Sequence, residues 1–223
     1  SPAGLQRPSL LPPEVFNSAE GGRGIHVAGA AYDVLRRRNV RYGHEPFSLD
    51  GLGQRVRPPA TFLHDKGTCL DLSAAFAAMC EVAQLRAMLA FTPGHALVII
   101  DVSVPLNDAP DEPGVPLSYD RYDGVLRIDG VPEEWPPHLI AVDVACAARD
   151  AGGDPADFEE ACRSGHDHLT ASPGNVKIVD IKLARSLHPE ARALPEPPPD
   201  DASPAISTRL PVPPEFVPYP SRS

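Results

Sequence analysis

Proline is spread unevenly along this chain, and its distribution limits where regular structure can form. There are 28 prolines among 223 residues, about 13% where proteins average about 5%. They are dense in residues 1–20, in the acidic stretch 103–138 and after residue 190. Because proline lacks an N–H donor and has a fixed φ, helices and central strands are expected elsewhere. The sequence therefore predicts four parts: an extended N-terminal arm at 1–28, a folded domain at 29–190, an insertion within it at 103–138, and a Pro-rich tail or linker at 191–223.

Charge and hydropathy exclude several classes of protein. The chain has 20 Lys and Arg against 30 Asp and Glu, a formal net charge of −10, so it lacks the basic surface that nucleic acid requires. The longest apolar run, 96–100, is far shorter than the roughly 20 residues that span a bilayer, and no apolar leader follows a charged start. We expect a cytoplasmic protein with no nucleic-acid or membrane partner. Because the chain begins with Ser1 rather than Met, we also expect other domains of a longer polypeptide among its partners.

The cysteines and histidines do not form a recognisable metal or disulfide motif. There are four widely spaced cysteines: Cys69, Cys80, Cys146 and Cys162. Their number and spacing are unlike a disulfide scaffold or a paired zinc motif. His166 and His168 are the closest histidines, but they lack Cys or carboxylate partners at the spacing of helical metal ligands. The sequence predicts no metal, no cofactor and mostly buried thiols.

The segment 68–102 has the clearest pattern of secondary structure. Thr68 with Asp71 three residues later resembles a capping box, which predicts that a helix starts at Thr68. Apolar residues then recur at helical spacing over 68–85 on a face formed by Leu72, Phe76, Met79 and Ala83. Strands are predicted at 87–91 and 95–102, around a turn at 92–94, and a third at 139–147. The sequence predicts an α+β domain in which the helix packs on a small antiparallel sheet.

Weaker patterns predict the remaining elements. The N-terminal arm includes an apolar piece at 10–16 that is expected to lie on the domain. A short helix is expected at 29–38, a strand or hairpin arm at 122–130, a short helix at 156–162 that ends near Gly165, a strand at 176–181 and a final turn at 182–187.

Cys69 lies in the first turn of the predicted helix. There the unpaired backbone N–H groups and the positive end of the helix dipole stabilise a thiolate, so the cysteine can be nucleophilic. The same N–H groups could donate to the oxyanion of an attacked carbonyl. On its own, a cysteine at a helix start is more often a small buried residue. The choice between the two therefore depends on its partners.

Two further residues could complete a site with Cys69. His95 opens a strand after a Pro-Gly turn, at a sheet edge from which its imidazole could act as general base. Asp143 lies within an otherwise apolar predicted strand, where a carboxylate needs a hydrogen-bonding partner, and orienting His95 would supply one. The alternatives are a loop histidine at 95, and an Asp143 that is exposed to solvent or bonded to Arg149.

The residues around these positions resemble the transglutaminase-like superfamily of papain-type cysteine enzymes. The resemblance is carried by 67–76 (GTCLDLSAAF), 94–98 (GHALV) and 142–144 (VDV), in the family's order Cys, His, Asp. It covers about residues 30–190, and 157–161 and 179–185 are similar to a bacterial subgroup with compact core domains. In this family the Cys begins a core helix, and the His and Asp come from adjacent antiparallel strands. The resemblance therefore implies a papain-like core.

Some features depart from the family pattern. Leu97 stands where many members have an aromatic residue, two positions after the His. The acidic insertion lengthens the gap between His95 and Asp143. For the upstream group that would stabilise the oxyanion, Gln54 is the candidate that the sequence offers.

The resemblance implies thiol-dependent acyl transfer on peptide or isopeptide amides, chiefly hydrolysis by a cysteine peptidase or amidase. Cys69 would be the nucleophile, His95 the base and then the acid, and Asp143 would fix the imidazole; the substrate would be a protein or peptide. The alternative is a catalytically silent module that binds partners through its Pro-rich tail and acidic insertion. The acidic segment 108–123 is expected to overhang the cleft and to disfavour acidic substrates.

Overall fold

The computed structural model describes residues 19–44, 56–105, 119–122, 125–128, 138–149, 154–171 and 176–187. They form a mixed α+β fold, as predicted, built on an antiparallel sheet. Several predictions lie outside these residues, namely the arm before residue 19, Gln54, most of the acidic insertion and the tail. Within the described ranges, no helix has the length and apolar character needed to cross a membrane.

The elements are as follows. The helices are α1 (Ala19–Arg37), α2 (Pro59–Phe62), α3 (Cys69–Val82), α4 (Phe158–Thr170) and α5 (Ile181–Leu187), with a 3-10 helix at Val144–Ala147. The strands are β1 (Arg41–Tyr42), β2 (Lys66–Gly67), β3 (Leu85–Thr92), β4 (His95–Pro105), β5 (Tyr119–Tyr122), β6 (Val125–Ile128), β7 (Leu139–Val142) and β8 (Val176–Asp180). The large sheet has the order β5-β6-β8-β3-β4-β7, and β1 and β2 form a separate parallel pair.

The sheet separates two layers of apolar side chains. On one face, Val98 and Ile100 pack with residues of α1 and α3 in the main core. On the other face, Leu97 and Ile99 pack with Leu169 of α4. Because side chains alternate along a strand, the apolar run at 96–100 fills both layers. It marks β4 as a strand that is covered on both sides.

Helix α3 begins where the capping box predicts. The Thr68 hydroxyl accepts a hydrogen bond from the Asp71 N–H, and the Asp71 carboxylate accepts one from the Thr68 N–H. Leu72 and Phe76 are buried, at 1% and 0% exposure. The predicted start and phase of this helix are confirmed.

The end of α3 differs from the prediction. The helix stops at Val82 rather than continuing to 85, because Gln84 takes a left-handed φ of 64° that leads the chain into β3. Of the predicted apolar face, Met79 is therefore only partly buried and Ala83 is exposed. No glycine or proline marks this end, so helical periodicity alone extends the prediction too far.

Helix α1 starts ten residues earlier than predicted, at 19 rather than 29, so residues 19–28 of the predicted extended arm are helical. Glycines at 21, 22 and 24 hide the helix in the sequence, because glycine is a poor helix former. Ile25 and Tyr32 are nevertheless buried at helical spacing. A Cβ added at Gly24 would approach the Val102 Cβ to 2.9 Å. The glycine therefore lets α1 pack closely on β4, and this packing outweighs its low helix propensity.

The sheet and the C-terminal helices are larger than predicted. The arm predicted at 122–130 is a hairpin of β5 and β6, and β6 pairs with β8, so part of the insertion belongs to the sheet. This hairpin lies at the edge opposite β7. Helix α4 runs to Thr170, beyond its predicted end near Gly165, and α5 forms where only a turn is predicted.

Strand β7 is shorter than the strand predicted at 139–147. It ends at Val142, and Asp143 caps the 3-10 helix that follows. The Asp143 carboxylate accepts a hydrogen bond from the Ala145 N–H at 3.1 Å. The apolar composition of 144–147 is typical of a strand, but this side chain competes for backbone donors and turns the chain. Asp143 thus lies just beyond a strand end, not in the middle of a strand.

Candidate active site

The structure brings Cys69, His95 and Asp143 together. Cys69 is the first residue of α3, His95 opens β4, and Asp143 directly follows β7. Because β4 and β7 are antiparallel, with Val98 opposite Val142, the beginning of β4 lies beside the end of β7. Cys69 is 7% exposed, and the side chains of His95 and Asp143 are 14% and 6% exposed. The three form a largely desolvated cluster.

A buried ion pair fixes the start of α3. The Asp71 carboxylate is fully buried and accepts hydrogen bonds from the Arg57 backbone N–H at 2.7 Å and from its guanidinium at 2.6 and 2.9 Å. Thr68 donates to the same carboxylate through its N–H and its hydroxyl, both at 3.0 Å. Burial raises the pKa of Asp71, but the bonds from Arg57 and Thr68 outweigh it and hold the pKa below its ordinary value. The helix end that carries Cys69 is therefore rigidly held.

Strand β4 is tied to the same turn of the helix. The Ser73 hydroxyl, one turn after Cys69, donates to the Ala96 carbonyl at 3.2 Å. The backbone N–H of Ala96 in turn helps to lower the pKa of the Cys69 thiol. Gly94 supplies the turn before His95 with a φ of 75°, in the region that favours glycine. These contacts set the position of His95 relative to Cys69.

The His95 imidazole bridges the other two side chains. Its Nε2 lies 2.9 Å from Asp143 Oδ1, and its side chain is near enough to the Cys69 thiol for each group to shift the pKa of the other. Because Nε2 faces the carboxylate, Nδ1 is the nitrogen left for the sulfur. A thiol, an imidazole and a carboxylate are thus placed in series, the arrangement that activates a nucleophile.

The electrostatics of this arrangement favour a thiolate and an imidazolium. Burial lowers the pKa of His95, but hydrogen bonds with Asp143 and Cys69 outweigh it and raise the pKa to about 9. Burial raises the pKa of Cys69, but the bonds from His95 and from the Ala96 N–H outweigh it and lower the pKa below its ordinary value. The pKa of Asp143 is also held low, since the contact with His95 outweighs the effect of burial. The charged forms of all three groups support one another.

Tyr42 is a site residue that the sequence does not reveal. It packs against the cluster of Cys69, Leu70 and Ala96, and its side chain contributes to lowering the pKa of the Cys69 thiol. Burial and the charge of Cys69 raise the pKa of Tyr42, so the phenol stays protonated. Its O–H group can therefore act as a hydrogen-bond donor toward the sulfur. It reaches this position because β1 pairs with β2 immediately before Thr68. The two short strands are distant in sequence, and no local pattern reveals their pairing.

Helix α4 contributes a second set of contacts to Asp143. The Ser164 hydroxyl donates to Asp143 Oδ2 at 2.8 Å, and His168 Nε2 lies 3.6 Å from the same oxygen. The His168 ring also stacks on the His95 ring, with 4.3 Å between centroids and 24° between planes. The alternative hypothesis, that Asp143 bonds to Arg149, is wrong, because Arg149 faces Asp154 instead, at 3.7 Å. Ser164 and His168 are not among the predicted site residues, because the helix predicted from the sequence ends near Gly165.

His95, Asp143 and His168 lie close enough together to be candidate metal ligands. Their possible ligand atoms lie within 4.8 Å of one another. The 2.9 Å hydrogen bond, however, joins His95 Nε2 directly to Asp143, and the two imidazole rings are stacked instead of converging on a common point. We therefore interpret the group as a hydrogen-bonded network. The sequence does not reveal this cluster, because Asp143, which follows β7, is distant in sequence from His168 of α4.

The other three thiols have the opposite electrostatics. Burial raises the pKa of Cys80 and of Cys146 to about 12, with a further contribution from a neighbouring carboxylate in each case. Burial also raises the pKa of Cys162. Of the four cysteines, Cys69 is therefore the one whose surroundings lower the pKa of its thiol.

Comparisons with known proteins give no match to a family model, to a curated protein or to a solved structure.

Proposed function

We propose that this protein is a thiol-dependent acyl-transfer enzyme that acts on peptide or isopeptide amides, chiefly as a hydrolase. The observation that carries the proposal is the placement of His95 between Cys69, at the start of a helix, and Asp143: His95 is hydrogen-bonded to the carboxylate at 2.9 Å and lowers the pKa of the thiol. Such an arrangement supplies a nucleophile, a proton carrier and an orienting carboxylate in the order that acyl transfer uses them. The substrate would be a protein or peptide.

The proposed reaction starts from the thiolate of Cys69 and the imidazolium of His95. The sulfur attacks the amide carbonyl carbon, a C–S bond forms, and the carbonyl electrons move to the oxygen. The oxyanion collapses, the C–N bond breaks, and His95 gives its proton to the leaving amine. Water then attacks the thioester while His95 takes its proton, and the C–S bond breaks to release an acid and restore the thiolate. Asp143 holds the imidazole throughout.

Stabilisation of the oxyanion is assigned to groups around the sulfur. The Asp71 N–H is taken by the Thr68 hydroxyl, so the first-turn N–H groups assigned to the oxyanion are those of Cys69 and Leu70. The Tyr42 hydroxyl is near enough to Cys69 to lower its pKa and could donate to the oxyanion as the charge moves from sulfur to oxygen. Gln54 lies outside the described residues, so its role stays a prediction.

The proposal extends to the fold family. A cysteine at the start of a helix, a histidine on an adjacent strand and an aspartate at the end of the next antiparallel strand follow the plan of the transglutaminase-like, papain-type core. This agreement in element order and relative direction supports that assignment.

One observation favours the silent module instead. Cys69 is only 7% exposed and is partly covered by Tyr42, so a substrate has little direct access to the sulfur. A module that keeps the fold without the chemistry would tolerate such a covered thiol. The two hypotheses differ in whether the sulfur can be acylated.

The test is covalent labelling by a substrate-like electrophile. Wild type, Cys69→Ala and the control Cys80→Ala would be incubated with a peptide that carries a chloroacetamide group and analysed by intact mass, and hydrolysis of casein would be followed in parallel. We expect one adduct on wild type and Cys80→Ala, none on Cys69→Ala, and casein hydrolysis that requires Cys69. Equal labelling of all three proteins would contradict the enzyme hypothesis and favour the module.

A further inference from the structure

The segment Ser164-Gly165-His166-Asp167-His168 forms one side of α4 against the candidate site. Ser164 and His168 are four residues apart, so they lie on the same face of the helix. Both reach Asp143 Oδ2, at 2.8 and 3.6 Å. His166, between them in sequence, projects from a different face. A helical pair is therefore aimed at the carboxylate that orients His95.

Gly165 explains how the helix comes so close. A Cβ added at this position would lie 2.8 Å from the Ala141 carbonyl and 2.9 Å from the Asp143 nitrogen. Both neighbours are backbone atoms, which cannot move aside as a flexible side chain would. The backbone N–H of Asp143 also donates to the Ala161 carbonyl of α4 at 2.9 Å. Helix α4 thus packs directly on the backbone at the end of β7, where its side chains can reach the carboxylate.

The two carboxylate oxygens of Asp143 have different hydrogen-bond partners. Oδ1 receives His95 and the Ala145 N–H, at 2.9 and 3.1 Å. Oδ2 receives the Ser164 hydroxyl at 2.8 Å and the Cys146 thiol at 3.5 Å, and it faces His168. With donors on both oxygens, the carboxylate cannot rotate about its own bond without breaking a hydrogen bond. The orientation of Oδ1 toward His95 is therefore determined in part by α4.

His168 acts on His95 as well as on Asp143. Its ring lies over the His95 ring at 4.3 Å, nearly parallel. The stack limits rotation of the His95 imidazole, while the bond from Nε2 to Oδ1 fixes its plane. His168 is partly exposed, at 42% of its side chain, so it can be replaced without opening a cavity in the core.

We propose that Ser164 and His168 are positioning residues, which hold the Asp143 carboxylate and the His95 ring in the orientation that charges Cys69. Neither touches the reacting atoms. This inference rests on the proposed function, since it concerns how the same thiol is activated. Residues that orient a primary group commonly matter about as much as a direct contact of similar strength.

The test measures the reactivity of Cys69 without any substrate. Iodoacetamide alkylation of the full chain would be followed at each cysteine by peptide mapping between pH 5 and pH 10. The variants are Ser164→Ala, His168→Phe, which keeps a ring over His95 but cannot donate to Asp143, and His168→Gln, which keeps a donor. The matched control is His166→Phe, on the same helix but another face.

Other groups that face this network from its neighbours are kept unchanged. The titratable ones are Cys69 on α3, Tyr42 on β1, Tyr32 on α1 and Cys146 on the 3-10 helix. Because they are identical in every variant, a change in the pH profile of alkylation reports on α4.

We expect Ser164→Ala to slow Cys69 alkylation at pH 6.5 by about tenfold and to move the acid limb of its profile to higher pH, as loss of one hydrogen bond to a charged group implies. His168→Phe removes the longer contact, 3.6 Å from Nε2 to Asp143 Oδ2, and should act in the same direction by about threefold. His168→Gln should recover part of the rate, and His166→Phe should match wild type. The inference is overturned if Ser164→Ala and His168→Phe match wild type, or if His166→Phe slows alkylation as much as they do.

The outcome is separable from that of the proposed function. If the α4 variants match wild type while His95→Ala still slows Cys69 alkylation, the positioning role is wrong and the proposed enzyme stands. If the α4 variants slow alkylation but the chain hydrolyses no amide, the positioning role stands and the acyl-transfer activity fails. If His95→Ala itself leaves Cys69 unchanged, both are wrong.

Discussion

Helix α3 carries two cysteines, and their surroundings shift their thiol pKa values in opposite directions. Cys69 and Cys80 are eleven residues apart, about three turns, and so project from the same side. Burial raises the pKa of Cys80 to about 12. Burial also acts on Cys69, but His95, the Ala96 N–H and Tyr42 outweigh it. The comparison shows that the groups around a thiol, more than its exposure, determine the direction in which its pKa shifts.

The carboxylates near the two ends of α3, Asp71 and Glu81, also have pKa values that are shifted in opposite directions. Asp71 is fully buried and accepts hydrogen bonds from both Arg57 and Thr68, so its pKa is held low. Glu81 is also buried, at 7% exposure, but its partner Arg185 is mostly exposed and bonds to it at 2.8 Å. Burial therefore outweighs Arg185 and raises the pKa of Glu81. The N-terminal end of α3 therefore stabilises the charged form of its carboxylate, whereas burial at the C-terminal end disfavours the charged form of Glu81.

The largest expected effect comes from an apolar contact in the middle of α3, between Phe76 and Tyr32 of α1. Phe76 is fully buried, and its ring meets the Tyr32 ring edge-on with 6.3 Å between centroids. Phe76→Ala should lower the free energy of unfolding by about 3–5 kcal/mol. Val82 on the same helix is 84% exposed, so Val82→Ala should change it by less than about 0.5 kcal/mol. Urea denaturation would measure both, and equal losses would contradict the described phase of α3.

The second prediction compares the charged ends directly. Asp71→Asn removes one partner of a buried ion pair and should cost about 3 kcal/mol at pH 7, at the low end for such pairs because Arg57 is 27% exposed. Glu81→Gln removes a charge that burial disfavours and should change the free energy of unfolding by no more than about 1 kcal/mol. Urea denaturation at pH 7 would measure both variants. A larger loss for Glu81→Gln than for Asp71→Asn would reverse the comparison.

The third prediction is that the two ends respond to pH with opposite signs. Because the folded pKa of Asp71 lies below its ordinary 3.8, its contribution to stability is fully present above 3.8 and is lost as pH falls through the folded value. The folded pKa of Glu81 lies above its ordinary 4.5, so its contribution is present below 4.5 and is lost as pH rises through the folded value. The advantage of wild type over Asp71→Asn should therefore shrink on acidification. On acidification, wild type should instead gain stability relative to Glu81→Gln. Urea denaturation at a series of pH values from 3 to 8 would measure both differences. If both differences changed with pH in the same direction, this account would be contradicted.

The smallest expected effects concern the turns at the two ends of β3. Gly94, before His95, has a φ of 75°, and a Cβ added there would meet no described atom within 4 Å, so Gly94→Ala should cost about 1 kcal/mol from backbone strain alone. Gln84, after α3, has a φ of 64°, and Gln84→Gly should gain about 0.5 kcal/mol. Thermal denaturation would compare the two variants. Effects of the same sign would contradict the assigned backbone conformations.

The parts of the fold that depend on local chemistry could be predicted from the sequence. The capping box at Thr68 and Asp71 gave the start of α3, and the Pro-Gly turn gave the start of β4 at His95. The start of α1 could not be predicted, because the contact of Gly24 with Val102 that favours it joins residues far apart in the chain.

The candidate site divides in the same way. Cys69, His95 and Asp143 stand in short motifs, and the structure brings them together. Tyr42 depends on the pairing of β1 with β2, and His168 depends on the close packing of α4 at the end of β7. Such contacts between distant segments leave no pattern of residue spacing, so sequence reasoning does not find them.

The most direct test of the account is the rate of iodoacetamide alkylation at Cys69 and Cys80 in wild type and His95→Ala at pH 6.5. His95 should favour the thiolate of Cys69 there, because it lowers the pKa of that thiol and because its own pKa, raised to about 9, keeps the imidazole protonated at this pH. We predict that Cys69 reacts at least about a hundredfold faster than Cys80 in wild type, and that His95→Ala slows Cys69 by about a hundredfold without changing Cys80. If Cys80 reacts as fast as Cys69, or if His95→Ala leaves the Cys69 rate unchanged, the charged pair at the start of α3 does not exist.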